Sequence, residues 1–227
     1  MQVKMDIYEA MRARHSVRAY EQKEIEGEIK DMLEDKIAEL NGRSGLHIQL
    51  ITHEPKAFDS PMAHYGKFSG VTDYIAMIGK KDDELEEKCG YYGEKLVLFA
   101  QELGLNTCWV AMTYSKIKTA FQVEKGEKLC IVIALGYGET QGLPHKSKSM
   151  EEVIQLDGPA PEWFQKGVEA ALLAPTAMNQ QKFLFRLDKN RVSVKAGFGF
   201  YTKIDMGIVK YHFEIGAGKE HFQWELS

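Results

Sequence analysis

Cys130-Ile131-Val132-Ile133-Ala134-Leu135 is an unbroken apolar run of strand length. A strand with one wet face alternates between apolar and polar residues, so a run without alternation is expected where helices cover both faces of a sheet. The run meets Gly136-Tyr137-Gly138, where the backbone is free to turn tightly. A sheet buried on both sides needs helices to cover it, and the chain supplies them. Ile25, Ile29, Leu33 and Ile37 recur at a spacing of four, predicting an amphipathic helix that ends at Asn41-Gly42. Leu96, Phe99, Ala100 and Leu103 follow the i, i+3, i+4, i+7 pattern in a helix beginning near Tyr91, with Gly104 as its stop.

Between these helices, Leu46, Ile48 and Leu50 alternate with His47 and Gln49, and Tyr74-Ile75-Ala76-Met77-Ile78 is a second apolar run; both read as strands, and residues 53–71 between them as a loop. Ile7 to Arg14 has helical character. The stretch Gly142 to Pro161, rich in Lys, Ser, Gly and Pro, reads as an exposed connection. The boundary is placed near Gly158, with a first half of 1–157 and a second of 158–227. The second half reads as a helix from Glu162 to Ala174, strands at Phe183–Leu187 and Val192–Ala196, and a helix carrying Ile208, Tyr211, His212 and Ile215 on one face. This helix, strand, strand, helix order repeats that of residues 25–104. Asp205-Met206-Gly207 opens the last helix much as Gly90-Tyr91-Tyr92-Gly93 opens the earlier one, so a degenerate internal duplication is expected.

With 227 residues, 44% of them hydrophobic, the chain has ample material for a core. A formal charge of -4 gives no bulk attraction for nucleic acid. Cys89, Cys108 and Cys130 are odd in number and contain no CxxC pair, which argues against a disulfide framework or zinc site and for reduced thiols. Neither a secretion signal at Met1–Asp6 nor a charge-free span of membrane length is evident. A soluble, cytoplasmic protein is the expectation.

The local cations therefore serve something small. Arg14-His15-Ser16-Val17-Arg18 places two guanidinium forks and a hydroxyl within five residues, a donor set suited to phosphate. Two distant segments complement it: His145-Lys146-Ser147-Lys148 adds cations, and Ala174-Pro175-Thr176-Ala177-Met178-Asn179-Gln180-Gln181 adds amides able to read the edge of a flavin ring. Each also has a simpler reading: Arg14 and Arg18 as surface partners of Glu21 or Glu24, the lysines as a surface loop, Asn179 as a turn residue. Their joint occurrence favours a flavin mononucleotide (FMN) site. His212, on an apolar helix face, reads as a hydrogen-bonded core histidine. Gly197-Phe198-Gly199-Phe200 lacks the strand-then-helix setting of a dinucleotide fingerprint, so no stably bound NAD is expected.

Arg14 to Arg18, Gly104-Leu105-Asn106-Thr107-Cys108-Trp109, Gly136-Tyr137-Gly138 and Ala174-Pro175-Thr176-x-x-Asn179 together resemble the nitroreductase family over most of the chain. The resemblance implies an α/β (α+β) three-layer fold with a mixed, largely antiparallel sheet between helices, bound FMN, and reduction of small flat acceptors such as nitroaromatics or quinones by NADH or NADPH. It implies that Arg14 and Ser16, with His15 beside them, meet the phosphate or ribityl chain. Lys146 and Lys148 complete the phosphate site. Arg18 stabilises charge at the pyrimidine edge, Val110, Ala111 and Met112 lie against the ring, and Asn179, Gln180 and Gln181 meet its polar side or the ribityl hydroxyls. Tyr65, Phe68, Tyr114 and Phe198 are expected around the pocket.

Two departures stand out. The Ala-Pro-Thr-x-x-Asn segment falls in the second half of the chain, and Ala111-Met112 replaces the family's usual acidic and glycine residues. The first suggests a rearranged, duplicated chain, either a homodimer or a pseudo-dimeric monomer. The competing expectation is a flavin-binding sensor or carrier whose second half covers the ring and prevents turnover.

Overall fold

The computed structural model describes residues 5–156 and 158–225. Residue 157, at the expected boundary, and residues 1–4 of the amino-terminal stretch Met1–Asp6 therefore lie outside the described residues. Helix α1 (Ile7–Ala13) is closed by a reciprocal cap: the Asp6 carboxylate accepts from the Glu9 N–H at 2.8 Å, and Glu9 accepts from the Asp6 N–H at 3.1 Å. Helix α2 (Gly27–Ser44) runs beyond Asn41-Gly42 and stops at Gly45, whose φ of 70° is left-handed. Asn41 does not end the helix, because its side chain bonds both the N–H and the C=O of Ile48, pinning α2 to the start of β1 (Gln49–Ile51).

The segment expected as a loop at 53–71 contains a short 3-10 turn and α3 (Pro61–Tyr65). Its starting signal is Ser60-Pro61: the serine side chain caps the Ala63 N–H, and proline's missing N–H costs nothing in a first turn. After β2 (Asp73–Lys80), helix α4 (Leu85–Glu102) starts ahead of Tyr91, since buried Leu85 and Cys89 extend its apolar face. Two strands follow, β3 (Asn106–Val110) and β4 (Glu127–Gly136). The four form an antiparallel sheet in the order β1-β2-β4-β3, with Tyr74 opposite Ala134.

Both faces of β4 are buried, by different means. Ile131, Ile133 and Leu135 pack with the apolar faces of α2 and α4. Val132 and Ala134 face a second cluster built from Ala57, Phe58, Ala63, Phe68, Tyr74 and Phe121. Helices thus cover one face, while mainly irregular chain with large aromatic side chains covers the other.

The stretch 142–161 is not simply a connection. It contains β5 (Ile154–Gln155), and fully buried Val153 accepts from the Phe185 N–H at 2.8 Å. Beyond it lie α5 (Glu162–Ala171), the hairpin β6 (Phe183–Asp188) and β7 (Arg191–Ala196), α6 (Thr202–Ala217) and β8 (Gln223–Trp224). These strands form a second sheet, β5-β6-β7-β8, antiparallel in the hairpin and parallel at both edges. The strands are mixed and largely antiparallel as expected, but they are divided between two sheets.

Helices α4 and α6 join the halves. A Cβ on Gly90 would stand 2.0 Å from the Ile204 carbonyl oxygen, and one on Gly207 would stand 2.0 Å from the Glu87 carbonyl oxygen. The absence of both side chains lets the two backbones touch. His212, fully buried on this crossing, faces the Ala170 carbonyl through Nδ1 at 3.1 Å and Glu94 through Nε2 at 2.9 Å. The carbonyl can only accept, so Nδ1 carries a hydrogen and a further proton lies in the bond to Glu94.

Candidate functional site

A cavity of about 590 Å³ opens between the halves. The first half supplies the segment after α1, the end of β3 with the following turn, and Ile131 of β4; the second supplies residues 175–179 and the start of α6. Each wall has a local cause. The 14–18 segment leaves α1 in extended conformation and is fastened to β3 by a bridge between Ser16 and Thr107 and by the Val17 N–H donating to the Thr107 carbonyl at 3.1 Å.

Arg14 is the most informative residue on this wall. Its side chain is 3% exposed, and neither Nε nor Nη1 has a hydrogen-bond partner. Burial lowers its pKa, partly offset by the nearby Glu94 carboxylate. Glu94 meets the Trp109 indole N–H at 3.0 Å and His212, and it makes no hydrogen bond to Nε or Nη1 of Arg14. A buried cation with unmet donors on a cavity wall is suited to an anionic ligand. Exposed Arg18 and Ser16 extend the donor set, and the Arg18 guanidinium lies 5.9 Å from the Phe68 ring centroid. The His15 imidazole is held below its usual range by burial first, then by Arg14 and His145. Burial also pushes the Cys108 thiol up, so this cavity cysteine is a neutral wall group rather than a nucleophile.

On the opposite wall, Met178, Asn179 and Gln181 all have positive φ, at 52°, 52° and 45°. Such angles cost non-glycine residues about 1–3 kcal/mol each and persist only where neighbours enforce them. Gln181 does much of this. Only 2% exposed, it accepts from the Lys148 N–H at 2.9 Å and donates to the Lys146 carbonyl and to Asn179 Oδ1, while its own carbonyl takes the Lys148 ammonium. Asn179 donates to the Lys146 carbonyl at 2.9 Å. Gln180 donates to the Phe200 carbonyl and to Asp205.

Of the expected site residues, Arg14, His15, Ser16, Arg18, Ala111, Met112 and Asn179 line the cavity. Val110, Lys146, Lys148, Gln180 and Gln181 do not. Val110 is core, and the lysine segment and the two glutamines brace the 174–181 turn. The four expected pocket aromatics lie elsewhere. Phe68 stacks edge-on with Phe58 in the second cluster and Tyr114 packs beside it, while Tyr65 and Phe198 are exposed outside the cavity. The aromatic wall comes instead from Trp109, Phe200 and Tyr201. Asp205, Ile204 and Ile208 are further wall residues that sequence reasoning missed. The signal for them is the apolar positions flanking Asp205-Met206-Gly207, legible only once α6 is known to start at Thr202.

The sequence profile of the family described as "Putative TM nitroreductase" matches residues 6–217. The chain belongs to this nitroreductase family, a family of oxidoreductases. Among solved structures, a Thermotoga maritima protein described as a putative nitroreductase shares the fold with a TM-score of 0.67 at 22% identity, covering 95% of this chain and 85% of that one. A Bacteroides thetaiotaomicron protein described as a putative NADH dehydrogenase/NAD(P)H nitroreductase gives 0.50 at 19% identity, covering 65% and 95%. No curated protein sequence matches the chain. Among the described residues, no helix is long and apolar enough to cross a membrane.

Proposed function

We propose that the protein is an FMN-dependent oxidoreductase of the cytoplasm that uses NADH or NADPH to reduce small flat acceptors in a ping-pong cycle. The observation that carries this reading is Arg14, a buried guanidinium with two unsatisfied nitrogens on the wall of a ligand-sized cavity. Its donors fit the phosphate of FMN, with Ser16 and His15 beside it, and Arg18 suits the pyrimidine edge, where negative charge accumulates on reduction. The turn at 110–112 and Asn179 border the remainder of the cofactor, braced by Gln180, Gln181 and the 146–148 segment. Bound flavin supplies hydride transfer, and the chain supplies orientation and charge. Met112, Leu143, Met178 and Phe200 are 70–85% exposed at the cavity, which suits entry of flat apolar compounds rather than a permanently covered cofactor. Three free cysteines suit a reducing compartment.

The same reading makes the chain a pseudo-dimer, with two related halves paired within one molecule. Reciprocity across the α4/α6 crossing supports it. One sequence offset takes Gly90 to Gly207 and Glu87 to Ile204, and the glycine of each helix meets the matching carbonyl of the other. The same offset takes Glu94 to Tyr211 and Lys95 to His212. The Glu94–His212 pair thus has a counterpart in Lys95 over the Tyr211 ring, 4.5 Å from its centroid. Reciprocal contact of this kind characterises two-fold interfaces.

The deciding experiment is an absorbance spectrum of FMN-reconstituted protein before and after anaerobic addition of NADH or NADPH. Flavin bands that bleach are expected, at one flavin per chain. Failure to take up flavin, or bands that do not bleach, refutes the proposal.

A further inference from the structure

Asp205 is the one acidic residue among the described residues that line the cavity. It is 3% exposed and lies in the first turn of α6, with Ile204 and Ile208 on the same wall. Its Oδ1 accepts from the Ala177 N–H at 2.9 Å and its Oδ2 from Gln180 Nε2 at 2.7 Å. The other Gln180 amide hydrogen is taken by the Phe200 carbonyl at 2.8 Å, so nitrogen rather than oxygen faces the carboxyl group. The carboxyl is thereby held rigidly, and each oxygen keeps a lone pair for a proton or a ligand. Among the described residues it forms no ion pair, although buried carboxylates ordinarily have one. Burial raises its pKa to about 6, a rise that the Gln180 and Ala177 hydrogen bonds restrain. Such a group gives up a proton readily near neutral pH and regains it from water.

We infer that Asp205 donates the proton to the acceptor reduced in this cavity, and that the acceptor it serves is a compact quinone or similar conjugated carbonyl compound. This rests on the oxidoreductase reading above. The walls beside Asp205 are Ile204, Ile208 and Pro175, which match an apolar ring, and a protonated carboxyl donates naturally to a carbonyl oxygen. In the overall reaction the nicotinamide is oxidised and the quinone reduced. The nicotinamide C–H bond is the one that breaks overall; its hydride equivalent bonds to one quinone carbonyl oxygen, and the displaced electron pair moves through the ring to the other. The Asp205 O–H bond breaks as a bond forms to that second oxygen. The products are a neutral hydroquinone and a carboxylate, which recovers a proton from water at the open mouth.

Other titratable groups surround this carboxyl and bear on any pH profile. They are Tyr201 and Lys203 at the start of α6, the Glu87–Lys210 pair and Tyr91 where α4 packs on α6, and Lys182 beside Gln181. Across the cavity are Arg14, His15, Arg18, Cys108 and His145. His15 and His145 share the cavity, so the test must separate Asp205 from them.

Two measurements do so. Calorimetry of 2-methyl-1,4-naphthoquinone binding to oxidised FMN-loaded protein, without reductant and in two buffers of different ionisation enthalpy, counts protons without turnover. Wild type is expected to take up protons near pH 7, and Asp205→Asn to bind the quinone without uptake. Anaerobic stopped-flow separates the half-reactions: Asp205→Asn should bleach with NADH or NADPH as wild type does, but be reoxidised by the quinone about 100-fold more slowly. Wild-type reoxidation should fall about tenfold per pH unit well above the Asp205 pKa, and the variant should not follow. Gln180→Leu removes a bond to the charged carboxyl, so its uptake and rate profiles should move to higher pH; this variant also serves if Asp205→Asn does not fold.

Equal proton uptake or equal reoxidation in wild type and Asp205→Asn overturns the inference, as does an unmoved profile in Gln180→Leu. Wild-type protein that fails to take up FMN or fails to bleach overturns the oxidoreductase reading itself, and this inference with it.

Discussion

Helices α4 and α6 cross through matching glycines, yet their first turns serve different ends. The offset that relates Gly90 to Gly207 relates Lys88 to Asp205. Lys88 is 38% exposed and paired with Glu84 one turn back at 2.8 Å, an ordinary surface arrangement. Asp205 is buried, has no cationic partner among the described residues, and borders the cavity. The crossing is thus reciprocal in its backbone contacts, while the side chains at the two helix starts differ in burial and in partners.

The crossing tolerates change least. Gly207→Ala or Gly90→Ala puts a methyl group 2.0 Å from a carbonyl oxygen, so a loss of about 3 kcal/mol or more is expected in urea unfolding, well beyond the gain in helix propensity. Tolerance of either alanine would show that the close approach is not what joins the halves. The side-chain pairs come next. Glu94→Gln weakens a fully buried pair and the support of Trp109, with an expected loss of about 3 kcal/mol, whereas Lys95→Met at the counterpart position should cost about 1 kcal/mol or less. Equal losses would deny that one pair is buried structure and the other a half-exposed contact.

Asp205 makes its helix start sensitive to pH. Its folded pKa, about 6, lies above the ordinary 3.8, so the folded state holds its proton more tightly than the unfolded state does. That contribution to stability is fully present below about pH 3.8 and is lost as pH rises through about 6. Asp205→Asn should therefore flatten the decline between these limits, at the cost, constant with pH, of leaving one of the Ala177 and Gln180 donors without an acceptor. Thermal unfolding across that range tests it; a variant whose stability declines with pH as steeply as that of wild type would contradict the burial cost. The smallest effect belongs to Lys88→Ala, expected to change stability by about 0.5 kcal/mol or less.

Elements with a strong period were legible in the sequence. The apolar runs at 74–78 and 130–135 are strands, and the four-residue spacing of Ile29, Leu33 and Ile37 marks α2, although Ile25, the first of the series, lies before the helix. His212 is the buried, hydrogen-bonded histidine its apolar face suggested. The Arg14–Arg18 motif does reach a cavity, because its residue types and spacing are local. What could not be read depends on long-range partners. Asn41 looks like a helix stop until Ile48 is seen to claim its side chain, and Val153 looks like linker until β6 bonds to it. Gln180 and Gln181 look like ligand groups, and only the folded chain reveals their partners in Phe200, Asp205 and the 146–148 backbone. The division into two sheets likewise follows from pairings that local periodicity does not encode.

The left-handed angles at Met178, Asn179 and Gln181 have one more consequence. Because the folded chain already holds that turn in shape, the entropy of ordering it is lost during folding and not when a ligand arrives. Guests meet a mould that has already set, so differences among them should appear mainly in how long they stay rather than in how quickly they enter.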